Sequence, residues 1–167
     1  MQSPQRPVLV DVHGYSSNPW YIKRLQSITS DNDNVGSEWL LALPYGTACK
    51  PTTTCCAATE TEATCQLGGT LDSSNPCAFN AGGCCGCASI FADDIAFMKA
   101  LSLHLINKAC ADPENVFATG FSNGGMLSNR IGCQLSGIFK AVVPHSGSRK
   151  YGGSFLSCNP EVLLLLN

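Results

Sequence analysis

The chain has 167 residues, 44% of them hydrophobic and only 13% charged, with a formal net charge of −2. A core of useful size can form, and the low-hydrophobicity, high-charge composition of a disordered chain is excluded. Basic residues stand singly or in pairs such as Lys23-Arg24 and Arg149-Lys150, so no nucleic-acid partner is expected, and the longest apolar run, residues 162–166, is far short of the roughly 20 residues needed to span a membrane.

Residues 8–12, Val-Leu-Val-Asp-Val, predict a strand buried on both faces, stopped by His13-Gly14. Asn18-Pro19 offers an N-cap followed by proline at the first helical position. Trp20, Ile22, Leu25 and Ile28 then recur near helical spacing. Residues 39–43, closed by Pro44-Tyr45-Gly46, predict a second strand. From 47 to 90 the pattern changes to threonine, glycine and eight of the eleven cysteines (Cys49, Cys55, Cys56, Cys65, Cys77, Cys84, Cys85, Cys87), with no sustained period. This stretch is expected to be a disulfide-stapled excursion. Asp93 can cap a helix over 94–109, whose Ile95, Met98, Leu101 and Leu105 recur every three or four residues. A third strand is predicted over 115–119 and a helix over 123–135, with Met126, Leu127 and Ile131 facing inward. A fourth strand is predicted over 139–144 and a fifth over 162–166. Strands alternating with helices force right-handed crossovers and a parallel sheet, so the fold class is α/β, a parallel sheet with flanking helices, in one domain over 1–167.

Gly120-Phe121-Ser122-Asn123-Gly124 has the form G-x-S-x-G. The pentapeptide alone is a weak signal, but it lies where a predicted strand runs into a predicted helix, the strained turn that presents a nucleophilic serine. Small neighbours at 120 and 124 are needed for such a turn to pack, and the helix N-terminus adds N–H groups and positive potential. The alternative role for Ser122 is a simple helix N-cap. His13-Gly14-Tyr15 follows a buried strand, where a loop N–H can complete an oxyanion hole with the N–H after the nucleophile. The two donors would be Tyr15 and Asn123.

The stretches Val10-Asp11-Val12-His13-Gly14-Tyr15-Ser16-Ser17-Asn18, Phe79-Asn80-Ala81-Gly82-Gly83-Cys84-Cys85-Gly86, Asp93-Asp94-Ile95-Ala96-Phe97 and Gly120-Phe121-Ser122-Asn123-Gly124-Gly125-Met126 together resemble the secreted α/β-hydrolase esterases that include feruloyl esterases and polyhydroxybutyrate depolymerases. The resemblance runs in order from about residue 7 to 147. It implies an α/β-hydrolase-type sheet and hydrolysis of esters of plant-wall phenolic acids or of polyester, through an acyl-enzyme on Ser122. The expected partner is the ester substrate alone, with no cofactor and no metal. Phe79 stands where those esterases carry tryptophan, and the excursion is richer in cysteine than theirs.

In this fold the triad follows the order nucleophile, acid, histidine. After Ser122 the chain holds one acid, Glu161, and one histidine, His145, in reversed order. Glu161 precedes its strand and should lie at the far end of the sheet. His145 ends the fourth strand at the ligand-binding edge, either as a loop residue beside the cleft or as a substitute base. The resemblance puts acid and histidine beyond a strand like 162–166. The chain is therefore expected to be a C-terminally truncated, poorly active part of an esterase. His13, His145 and Trp20 are candidate cleft residues, Tyr15 and Trp20 can either stack on a phenolic ring or pack as core or rim, and Asp93 and Asp94 are expected to serve as helix caps.

Eleven cysteines point to an oxidising, secreted setting, although residues 1–7 have no apolar signal-peptide region, so the natural N-terminus is expected to be lost or replaced. The odd count leaves one thiol free or paired elsewhere. Cys84-Gly86-Cys87 spacing has no second pair to complete a zinc site. The competing functions are a catalytically dead relative that binds carbohydrate or polyester, and a Cys-rich structural or metal-binding protein.

Overall fold

In the computed structural model, which describes residues 5–17, 38–48, 77–81, 93–148, 150–151, 154–155 and 163–164, the first apolar run forms β1 (Arg6–Val12). Val8, Val10 and Val12 are fully buried on one face and Asp11 is buried on the other, as a central strand of a parallel sheet requires. There follow β2 (Leu40–Ala42), β3 (Thr47–Ala48), β4 (Cys77–Ala78), α1 (Asp94–Lys108), β5 (Ala111–Phe121), α2 (Asn123–Gln134), β6 (Ala141–His145), β7 (Lys150–Tyr151), β8 (Ser154–Phe155) and β9 (Leu163–Leu164). Five of these strands form one sheet in the order β2-β1-β5-β6-β9, every neighbouring pair parallel. The predicted α/β class and the parallel sheet with flanking helices are thus present.

Element boundaries differ for local reasons. β5 starts four residues earlier than predicted: Ala111 pairs with Arg6, and the register shifts before Val8 meets Val116. In between, the Asp112 carboxylate accepts the Glu114 N–H at 2.9 Å, a turn-like bond that masks the strand in the sequence. Phe139 was expected to open the fourth strand. Instead its N–H bonds to the Leu135 carbonyl at 3.0 Å, closing the end of α2, and its ring is buried. The two described ends of the cysteine-rich excursion meet as a short antiparallel pair, Thr47 with Ala78 and Ala48 with Cys77. Two residues per strand are too few for a period of two to show. The helix predicted from Asn18, with Trp20, lies outside the described residues, as do Glu161 and Cys84 to Cys87. Cys133 is disulfide-bonded, whereas Cys110 is exposed and free. Among the described residues no helix is long and apolar enough to cross a membrane.

The helix α1 starts where Asp93 accepts the Ala96 N–H at 3.0 Å, and buries Met98 and Ser102 against the core. α2 is buried from Asn123 to Gly132, which its glycines and serine permit by letting the helix lie close to β5 and β6. Leu127 is completely buried in the core that Val8, Val10, Met98 and Val142 complete. Leu127→Ala is expected to lower stability by about 2–5 kcal/mol in urea unfolding, and Leu103→Ala on the exposed face of α1 by well under 1 kcal/mol.

Candidate active site

β1 has β2 on one side and β5 on the other, so the strand order reverses at β1, and the carboxyl ends of β1 and β5 are where an open parallel sheet of this kind binds its ligand. Val12 pairs with Gly120, so the loop leaving β1 and the turn leaving β5 start level with each other. Ser122 occupies that turn at φ 54° and ψ −114°, a left-handed conformation that costs a non-glycine residue roughly 1–3 kcal/mol. Its main chain is held on both sides: its N–H donates to the His145 carbonyl and its carbonyl accepts from Met126 N–H, both at 2.9 Å. The side chain makes no capping hydrogen bond, so the N-cap role does not describe it. Ser16 and Ser146, in the loops after β1 and β6, also have positive φ, so backbone strain gathers at this sheet edge. Because the first helical bond comes from Met126, the N–H groups of Asn123, Gly124 and Gly125 precede the α2 ladder.

The β1 loop lies against this turn. A methyl group built on Gly14 would sit 3.6 Å from Ser122 Cβ and 3.4 Å from the Phe121 ring. Tyr15, next to Gly14, is 41% exposed and Phe121, next to Ser122, is 59% exposed, so both aromatic side chains reach solvent. The side chain of His145 is exposed, and the contact it makes with the serine turn is through its carbonyl.

His13 does not line the cleft as expected. It is fully buried, and both ring nitrogens are engaged: Nε2 accepts the Gly46 N–H at 2.9 Å, and Nδ1 donates to the Gly14 carbonyl at 2.7 Å. These partners define the neutral, Nδ1-protonated tautomer. Burial pulls its pKa from 6.5 down to about 4, against the opposing pull of the Gly14 carbonyl. An imidazole so placed has no nitrogen available for a substrate. Its partner Gly46 is remote in sequence, so no local signal marked it.

Asp94 likewise departs from expectation. Asp93 caps α1, but Asp94 is buried and its carboxylate accepts the Asn80 N–H at 2.5 Å, while Arg130 donates to the Asn80 carbonyl. Burial pushes the Asp94 carboxyl above its usual range, offset in part by the Asn80 N–H and Arg130. The buried Asn123 side chain pairs with both main-chain groups of Phe79, accepting its N–H at 2.9 Å and donating to its carbonyl at 3.1 Å. The sequence marks Asn123 for its N–H alone, because its side chain's partner, Phe79, is remote in sequence.

A parallel sheet of this order, with a left-handed serine between the strand and helix that follow its switch point, has the α/β-hydrolase fold. The chain is similar to esterases built on that fold. Residues 91–155 match the prolyl oligopeptidase family. Over 67 residues the chain is 42% identical to feruloyl esterase B of Piromyces equi, covering 40% of this chain and 12% of that protein. Over 62 residues it is 37% identical to feruloyl esterase C of Emericella nidulans, covering 37% and 23%. S-formylglutathione hydrolase of Staphylococcus aureus superposes with a TM-score of 0.57 at 12% identity, over 90% of this chain and 46% of that one. Acetyl xylan esterase of Aspergillus awamori gives 0.53 at 13% identity, over 94% and 49%. The chain thus spans just under half of these solved structures, and the matched stretches are less than a quarter of the curated relatives.

Proposed function

We propose that the chain carries the nucleophile and oxyanion hole of a secreted carboxylic ester hydrolase. Ser122 Oγ attacks the ester carbonyl, giving a tetrahedral oxyanion that the N–H groups of Tyr15 and Asn123 receive. The C–O bond to the alcohol then breaks, the alcohol takes up a proton, and water hydrolyses the acyl-serine to the acid and free hydroxyl. The substrates are esters of ferulic-type acids on plant-wall polysaccharide, or polyhydroxyalkanoate. The similarity to feruloyl esterases B and C and the exposed aromatic side chains of Tyr15 and Phe121 favour the first. Secretion accords with the cysteine content and the disulfide at Cys133.

The observation that carries this reading is the left-handed, uncapped Ser122 beside the loop of Gly14. With both His13 nitrogens engaged, and with Glu161 following His145 rather than preceding it, the hydroxyl lacks an ordered acid–histidine pair within these residues. The rate should fall toward the roughly 10³–10⁴ over water that an oxyanion hole alone sustains. The competing reading is a relative that binds such esters without turnover. A fluorophosphonate probe separates the two. Slow labelling on the Ser122 peptide, absent in Ser122→Ala, supports the hydrolase; no labelling above that variant rejects it.

A further inference from the structure

The two proposed oxyanion donors sit on different elements, Tyr15 after β1 and Asn123 at the start of α2, yet buried side chains link them. The Asn123 carboxamide grips the main chain of Phe79 at 2.9 and 3.1 Å. Asp94 and Arg130 hold the next residue, Asn80, by its N–H and its carbonyl, so the Phe79 segment cannot slide. The buried Phe79 ring lies against the His13 ring, centroids 4.7 Å apart, and Tyr45 meets the same imidazole edge-on at 5.8 Å. His13 then holds the Gly14 carbonyl at 2.7 Å. Among the described residues no peptide bond is cis, and across a trans peptide the carbonyl and the next N–H point in opposite directions. Fixing the Gly14 carbonyl on the imidazole therefore turns the Tyr15 N–H away from the buried ring.

We propose that the Asn123 side chain, Phe79 and His13 are positioning residues, forming a brace that sets the spacing of the Tyr15 and Asn123 N–H donors. Their role as donors rests on the esterase reading; the brace itself does not. The brace explains why an asparagine follows the serine: separate oxygen and nitrogen atoms of one carboxamide meet the N–H and the carbonyl of Phe79, whereas an ionised carboxylate has no donor for the carbonyl. Leaving any of these buried groups unmatched is costly, so the arrangement has one stable state.

The test uses the 167-residue chain with ¹⁵N labelling. In wild type at pH 7, His13 should show a protonated Nδ1 and an unprotonated Nε2; the opposite tautomer, or a doubly protonated ring, overturns the proposal. Asn123→Asp keeps the acceptor and the main-chain N–H but loses the donor to the Phe79 carbonyl. It should shift the Tyr15 amide and His13 ring signals, and Phe79→Leu should do the same by removing the ring contact, whereas Phe79→Trp should restore wild-type signals. Fluorophosphonate labelling of Ser122 should slow about ten- to a hundredfold in the first two variants, as expected for displaced catalytic groups, and recover with tryptophan. Unchanged Tyr15 and His13 signals in a folded Asn123→Asp or Phe79→Leu protein reject the brace. If wild type is not labelled at all, the esterase reading fails and the resonance shifts still decide the brace.

Discussion

Gly124→Ala should destabilise the fold by about 3 kcal/mol or more and displace the serine turn. A methyl group there would lie 1.9 Å from the Val12 carbonyl oxygen and 2.6 Å from that of His13, where contacts under 3.0 Å are essentially never seen. The start of α2 would have to retreat by at least about 1 Å, the difference between 3.0 and 1.9 Å. Val12 cannot give way, because it is paired in the sheet opposite Gly120. Gly120 is equally tight, its own Cβ position lying 2.6 Å from the Gly124 main chain. Overpacking of a core costs typically about 1–3 kcal/mol where side chains can adjust; with main chain on both sides the cost belongs at or above the top of that range. Gly137 is the internal comparison, since a methyl group there meets nothing within 4 Å. Gly137→Ala should be neutral or stabilising by up to about 1 kcal/mol. Urea midpoints of the two variants make the comparison, and equal midpoints would show that the close approach of α2 to β1 is absent in solution.

The second large effect is acid destabilisation through His13. Burial favours the neutral imidazole, so as the pH falls the unfolded chain, with its histidine near 6.5, takes up a proton before the folded one does near 4. The stability this residue contributes is whole above about pH 6.5, declines as the pH falls through the interval, and is gone below about 4. Two and a half units at 1.36 kcal/mol each set the size at about 3 kcal/mol. Asp94 acts with the opposite sign: its raised carboxyl gives a contribution that is complete below 3.8 and is lost as the pH rises through its folded value. The comparison is therefore between wild type and His13→Gln, which removes the imidazole titration and leaves Asp94 in place. Unfolding free energy measured from pH 4 to 7 should rise less steeply in the variant. Parallel curves would mean that His13 is not buried as described.

The two adjacent aspartates show how far local pattern reaches. Asp93 was legible as a cap because its partner, the Ala96 N–H, lies three residues away in a geometry every helix start shares. Asp94 carries the same chemistry, yet its partners are Asn80 and the field of Arg130, which no local rule joins to it. Ser122 was legible because strand, turn and helix are consecutive, and the glycines at 120 and 124 announce a tight bend. His13 misled for the opposite reason: a histidine after a strand and before a glycine reads as a site residue, and only the Gly46 N–H and the Phe79 ring convert it into buried scaffold.

From sequence alone came the features decided between near neighbours: five strands and two of the helices at nearly their observed places, the cap at Asp93 and the bend at Ser122. Such features depend on side-chain period, capping and backbone sterics, all of which act within a few residues. Tertiary structure alone decided that β1 lies beside β5 with Val12 level with Gly120, that the loop of Gly14 therefore touches Ser122, and that Phe79 joins Asn123 to His13. Any apolar strand satisfies a neighbouring parallel strand's hydrogen bonds equally well, so the choice of partner rests on which arrangement buries both faces and leaves no main-chain group unmatched, a property of the whole chain.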